Sequence, residues 1–226
     1  MKYLPIFLIT ICCLIGVNKA KAQFMYDRYS RPIDTKIYLD IEGSAYLTES
    51  WSPGEVRLVN GTIYKKDILL KYNLLDDELY FKYDTGATMT FVDPVKDFFI
   101  KYTYEQDNVP VTKHYRNGYQ DVSNTTPKSY FEVIGDGNLQ LIKKTTKSVS
   151  ETKEYNSATK VKAFQDYTRY FLVIAGKTVP VKNDKKSILA TIPDKQQQLQ
   201  TFAKLNNLNF KSDADLAKLM NFYNSL

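Results

Sequence analysis

Few residues in this chain have the types and spacing that chemistry requires. Asp84-Thr85-Gly86 sets a carboxylate beside a hydroxyl and a glycine that lets the backbone turn tightly. Two such carboxylates sharing one proton can activate a water for attack on a peptide carbonyl. With one copy of the loop per chain, a homodimer would have to supply the second aspartate. Downstream, Val133-Ile134-Gly135 offers an apolar-apolar-glycine element that could brace such a loop. Against this, Lys82 stands where a buried apolar residue is needed, and Asp, Thr and Gly are common turn residues. Taken by themselves the residues read as a turn between two strands, with Asp84 exposed and replaceable by asparagine.

His114 is the only histidine. A Ser-His-Asp triad would have to use it, and no Gly-x-Ser-x-Gly elbow accompanies it. A zinc site would need carboxylates from elsewhere, without a second histidine to help. Within Lys113-His114-Tyr115-Arg116 it reads as an exposed loop or strand residue. Asp76-Asp77-Glu78 gathers three carboxylates, but at a hairpin tip they read as a solvated turn, and the alternating oxygens of a calcium loop are missing. The nine glycines fall singly in turns, so no phosphate-cradling loop is present. Tyrosine is abundant, at 18 residues beside the lone Trp51, and a curved sheet lined with these rings could hold a glycan or a peptide. Tyrosine also suits any half-buried strand, which is the plainer reading.

The ends of the chain bound the rest. Residues 1–22 read as a cleaved secretory signal: Lys2 is the positive start, Leu4 opens an apolar stretch reaching Val17, and Ala20-Lys21-Ala22 is an A-x-A site before Gln23. The apolar stretch is shorter than the roughly 20 residues that span a bilayer. Cys12 and Cys13 leave with the signal, so a mature chain has no disulfide, thiolate metal site or cysteine nucleophile. The full chain has a net charge of +6. Losing Lys2, Lys19 and Lys21 leaves 28 basic against 25 acidic residues, a net of +3, too mild to argue for nucleic acid. The clusters Lys143-Lys144 and Lys185-Lys186 read as solvated surface.

The elements that would position these residues are strands and turns. Ile37, Leu39 and Ile41 alternate with polar residues, predicting a strand. Val56-Arg57-Leu58-Val59, Asn60-Gly61 and Thr62-Ile63-Tyr64 make the strongest hairpin signal. Residues 68–74 and 78–83 form the next hairpin, followed by strands at 89–92 and 98–102. Residues 105–127 are polar and lack periodicity, predicting an irregular excursion with short strands near Val109-Pro110-Val111. Two later hairpins turn at Asp136-Gly137 and Gly176-Lys177, and the polar stretch 143–162 is expected to extend away from the core. From Lys185 the pattern becomes helical. A short helix stops at Pro193, Asp194 caps a second, and Ser212 with Asp215 resembles a capping box ahead of Leu216, Leu219, Met220 and Tyr223.

Two resemblances arise from these motifs. Asp84-Thr85-Gly86-Ala87-Thr88 is similar to the active-site loop of aspartic proteases, and a single-lobed version resembles the retroviral proteases. Over nearly the whole mature length, the chain resembles a family of uncharacterised exported proteins common in Bacteroidetes. That match rests on Gly43-Ser44-Ala45-Tyr46-Leu47, the run 54–72, Asp77-Glu78-Leu79, Tyr130-Phe131-Glu132-Val133, Asp136-Gly137, Lys185-Lys186-Ser187 and the closing Phe222-Tyr223-Asn224-Ser225-Leu226. It implies export and a single architectural unit, and it carries no activity.

The resulting expectation is an α+β, mainly β protein. Antiparallel hairpins form a curled sheet or roll over 23–184, and two or three short helices over 185–226 pack on it. No catalytic, cofactor-binding or metal-ligating residue is assigned, no cofactor is expected, and no membrane anchor remains after cleavage. The role that best fits is a non-enzymatic binding or accessory module in the periplasm, on the cell surface or outside the cell, with an envelope protein or a glycan as partner. A homodimeric aspartic protease built on Asp84 and a structural component that assembles with itself are the alternatives.

Overall fold

The computed structural model describes residues 30–32, 38–83, 86–103, 108–153 and 160–226, with backbone alone at 30–32. Residues 1–29, Asp84 and Thr85 lie outside the described residues, as does Ile37. In chain order the strands are β1 (Ser30–Pro32), β2 (Ile41–Glu42), β3 (Ser52–Leu58), β4 (Ile63–Tyr64), β5 (Ile68–Asn73), β6 (Glu78–Tyr83) and β7 (Met89–Phe91). They continue as β8 (Val95–Thr103), β9 (Pro110–Arg116), β10 (Phe131–Gly135), β11 (Leu139–Lys153), β12 (Lys160–Ile174) and β13 (Lys177–Val181). Helices α1 (Lys185–Thr191), α2 (Gln196–Leu205) and α3 (Asp213–Ser225) follow.

The strands make one open sheet in the order β1-β7-β6-β5-β3-β8-β9-β10-β11-β12-β13, with β4 added to β3 and β2 to β12. Neighbours are antiparallel except β2, which runs parallel to β12 through Ile41 and Glu42. The expected mainly β, antiparallel, curled architecture with C-terminal helices is what the chain forms.

Alternation along the strands decides which face curls inward. Phe98 and Ile100 on β8 are fully buried, and so is Tyr72 on β5 at 1 % exposure. The Tyr72 ring meets Tyr115 of β9 at 5.1 Å and Tyr130 at 5.9 Å. Two strands separate β5 from β9 in the sheet, so these rings can touch only if the sheet bends around them. One core therefore fills the concave side of β3, β5, β6 and β8. The same side of β11 and β12 is covered by the helices, through Leu141, Leu172, Ile188, Leu199, Leu216 and Leu219. A smaller core on the convex side holds Tyr119 and Val122 against Phe131 and Phe171.

The helix docking depends on a glycine. At β10 the register slips between Val133 and Gly135, a bulge that turns Ile134 and Gly135 toward α3. A Cβ on Gly135 would lie 2.6 Å from Met220 Cγ, so the helix sits directly on the backbone there. Asn224 then pins the end of α3 to the hairpin turn: its Oδ1 accepts from Leu139 N–H at 3.0 Å, and its Nδ2 donates to the Asp136 and Leu139 carbonyls. The closing Phe-Tyr-Asn-Ser-Leu segment thus has a structural task. Ser212 caps α3 as expected, accepting from Asp215 N–H.

Four local expectations need correction. The alternating run before Glu42 yields only the two-residue β2, and Leu39 is exposed, because this segment pairs with β12 alone and buries no face. The excursion over 105–127 contains a full strand, β9, whose inward positions include the charged Lys113 and so broke the apolar pattern. The stretch 143–162 leaves the core only beyond its first residues, since Lys144 is buried, and it does so as an ordered ribbon: β11 and β12 pair residue for residue from Leu139 with Ile174 to Lys153 with Lys160. Asp194 does not cap α2. Lys195 occupies that position in a left-handed conformation without a side-chain cap, and Asp194 accepts the Tyr223 hydroxyl instead.

Candidate functional site

Between the concave core and the helices the sheet is left open. After β2 the chain crosses the end of β5, where Leu47 N–H donates to Tyr72 O and Leu74 N–H to Ala45 O. These bonds hold residues 44–53 as a lip over the inner face of β8 to β12. The lip and the sheet enclose a cleft of about 780 Å³. Tyr46 and Trp51 line it from above, and Tyr102, Tyr115, Thr145 and Lys147 from below.

The floor of this cleft is a charged network. Glu132, 5 % exposed, receives Lys113 at 2.6 Å and Lys143 at 2.7 Å. Lys143 also reaches Asp213 of α3 at 2.5 Å, and the Tyr170 hydroxyl donates to the same carboxylate at 2.9 Å. Burial alone would lower the Lys143 pKa, but Glu132 and Asp213 outweigh it and hold the ammonium form above its usual range. Each carboxylate of the floor is thus committed to fixed ion pairs with lysine.

One residue away on β11, Lys144 points to the other face of the strand and joins the sheet to its own far side. Its ammonium, 2 % exposed, pairs with Asp77 at 2.6 Å and donates to the Tyr130 carbonyl at 2.9 Å. Asp77 also accepts the Tyr72 hydroxyl at 2.5 Å, and Leu74 O accepts Lys147 N–H at 3.1 Å. The turn after β5 thus clasps β11 across the curl. Burial lowers the Lys144 pKa despite Asp77. Lys143-Lys144 is not the solvated feature its sequence suggested, and of Asp76-Asp77-Glu78 only Glu78 is exposed. Asp76 takes Tyr38 and Asn73, and Glu78 takes the Tyr80 hydroxyl. Lys185 and Lys186 are exposed, in the first turn of α1.

His114 lies on the convex face, largely covered rather than exposed, with its ring stacked on Phe99 at 4.2 Å. Burial lowers its pKa, and the Arg116 charge adds to that. Its Nε2 faces Asp97 Oδ1 at 3.6 Å, beyond hydrogen-bond reach, and neither atom has a hydrogen-bond partner. Among the described residues no group of three His, Cys, Asp or Glu side chains is placed to hold a metal ion. Of the Asp84 loop, the described ends are linked by a hydrogen bond in which Gly86 N–H donates to Tyr83 O. Val133-Ile134-Gly135 lies on β10, with four strands between it and β6 in the sheet, and its glycine is occupied by α3.

The aromatic lining of the cleft follows the sequence reading of Trp51 and the tyrosines, whereas the lip and charged floor escaped it. Only the alternation of Lys113 with Tyr115, and of Lys143 with Thr145, hinted at inward-facing charge. No family model, no curated protein and no solved structure matches the chain. No helix among the described residues is long and apolar enough to cross a membrane.

The buried phenols give a test of this interior. Burial raises the pKa of Tyr72, Tyr80, Tyr130 and Tyr170, with nearby carboxylates adding to it. An unfolded tyrosine ionises at 10.0, so above that value the unfolded chain has lost protons that the folded one keeps. Stability is therefore full below about pH 10 and falls as pH rises through it. Lys143 acts in the same direction, and Lys144 opposes it. Tyrosinate absorbance should rise for these residues in the same step that abolishes near-ultraviolet dichroism. Smooth titration of all the tyrosines near pH 10 in a protein that stays folded would contradict the buried assignment.

Proposed function

We propose that this protein is a non-enzymatic binding module of the cell envelope, exported on its leader, which holds an extended ligand in the cleft beneath the 44–53 lip. The observation that carries this reading is the cleft itself: the 44–53 lip lies over the Tyr102 and Tyr115 rings, the Thr145 hydroxyl and a floor of already-neutralised charges. Rings provide contact area at low entropic cost, and a few fixed polar groups give orientation. The walls offer rings and hydroxyls, which suits a hydroxyl-rich polymer such as a glycan.

The test is retention of envelope and capsule polysaccharides, neutral and acidic, on immobilised protein. Wild type and Asp84→Asn should retain the same polysaccharide. Thr145→Arg, which places a long side chain on the cleft floor, should lower retention at least tenfold (about 1.4 kcal/mol) without changing the melting temperature. Equal retention by Thr145→Arg would remove the cleft from the account. Trapping of cleaved peptides by Asp84→Asn alone would favour the protease.

A further inference from the structure

Trp51 carries an electrostatic feature that the aromatic lining does not explain. Lys82 Nζ stands 5.2 Å from the Trp51 ring centroid and Lys71 Nζ 5.9 Å from it, with Lys71 also 4.4 Å from the Tyr46 ring. Leu69 on β5 pairs with Lys82 on β6, so Lys71 and Lys82 are diagonal neighbours on one face of the sheet. Two like charges converge on one indole. Among the described residues no carboxylate forms an ion pair with either of them. Glu49 acts on Lys71 only from beyond ion-pair distance. Burial lowers the pKa of Lys71, and the charge of Lys82 lowers it further while Glu49 opposes both. Elsewhere in the protein the buried lysines have acids: Lys113, Lys143 and Lys144 all do. This pair is partly covered and mutually repelling, and its nearest carboxylate, Glu49, attracts Lys71 only from beyond ion-pair distance.

We propose that Trp51, Lys71 and Lys82 form an anion-recognising subsite beside the lip, on the outer face of β5 and β6, whose ligand is an acidic glycan. A sugar ring rests against Trp51, and its carboxylate or sulfate is held by the two ammonium groups. This rests on the cleft being a binding site and narrows the ligand class within that reading. An anion between the lysines relieves their repulsion and gains charge-assisted hydrogen bonds in a partly desolvated place. The indole supplies the apolar contact that a free anion could not use.

Trp51 is the only tryptophan, so its fluorescence reports on this subsite alone. Four probes are titrated: an oligogalacturonate, a sulfated oligosaccharide, a neutral oligosaccharide of equal length, and an oligoglutamate of equal charge. At least one of the two acidic sugars should shift the fluorescence, and which one does so identifies the acidic group. Lys71→Gln and Lys82→Gln should each weaken that ligand about tenfold, leaving any neutral-sugar binding and the melting temperature unchanged. Neutral and acidic sugars binding alike, with both variants unaffected, would overturn the subsite and leave the cleft reading standing. Oligoglutamate binding without any acidic sugar would overturn the glycan in favour of an acidic peptide. Silence with every probe, together with no polysaccharide retained on immobilised protein, would overturn both.

Discussion

Asp77→Asn should destabilise the protein by about 3 kcal/mol or more, the cost of leaving a buried lysine without its partner. Asparagine is the informative substitution. Asp77 has a φ of 59°, a left-handed conformation that asparagine tolerates well. The amide oxygen can still accept the Tyr72 hydroxyl, which Asp77 Oδ1 takes at 2.5 Å. What changes is the atom opposite Lys144, where an amide NH2 replaces a carboxylate oxygen at 2.6 Å. Lys144 is 2 % exposed and cannot reach water instead. In a domain of this size the expected loss corresponds to a melting temperature lower by roughly 6 to 12 °C.

The penalty should also depend on pH in a defined direction. Lys144 already has a lowered pKa in the fold, and removing Asp77 removes the attraction that opposed burial. Between that lowered value and the unfolded 10.5, the unfolded chain binds the extra proton, so stability rises with pH. Asp77→Asn should therefore recover part of its deficit as pH is raised toward that of free lysine, relative to wild type. Adding Lys144→Met should recover much of it at neutral pH, because the double variant leaves no buried charge. A single-variant loss below about 1 kcal/mol in denaturant titrations would mean that the turn after β5 does not clasp β11.

How much of this was legible in the sequence depends on how local each cause is. The hairpin at Asn60-Gly61 forms because Asn60 Oδ1 accepts Thr62 N–H within the turn itself. The Ser212 cap likewise needs only its own first turn. Elements made by distant partners were harder to read. β9 hid behind Lys113, an inward charge that makes sense only once Glu132 on the next strand is known. Lys143-Lys144 reads as surface because adjacent strand residues face opposite sides, and each of these finds a different acid, Asp213 with Glu132 for one and Asp77 for the other. Of the cleft, the rings could be suspected from composition. The lip could not, since it depends on Ala45 and Leu47 bonding across the end of β5.

The most demanding of these distant causes sits at Gly54, and Gly54→Ala should cost about 3 kcal/mol, near the upper end for overpacking. β3 changes neighbours along its length. Ser52 and Pro53 pair with Leu70 and Leu69 of β5, whereas Gly54 begins the run paired with Ile100 of β8. At the changeover the two flanking strands approach the backbone closely. A Cβ there would fall 2.9 Å from Leu70 Cγ and well inside contact distance of Leu70 Cδ1 and the Phe99 carbonyl oxygen. Leu70 is fully buried and has no space to withdraw, and the carbonyl belongs to a strand held on both sides. The strain must therefore move backbone. Leu70→Ala alone leaves a cavity and costs about 2 to 5 kcal/mol, but it also removes one of the two groups that the new methyl meets. The double variant should accordingly lose less than the sum of the singles, by about 1 kcal/mol or more in a double-mutant cycle. Strict additivity, or a Gly54→Ala protein as stable as wild type, would show that β3 does not turn between its neighbours at this point. Because Trp51 stands three residues before this glycine, the same strain should also displace the lip and weaken whatever the cleft binds.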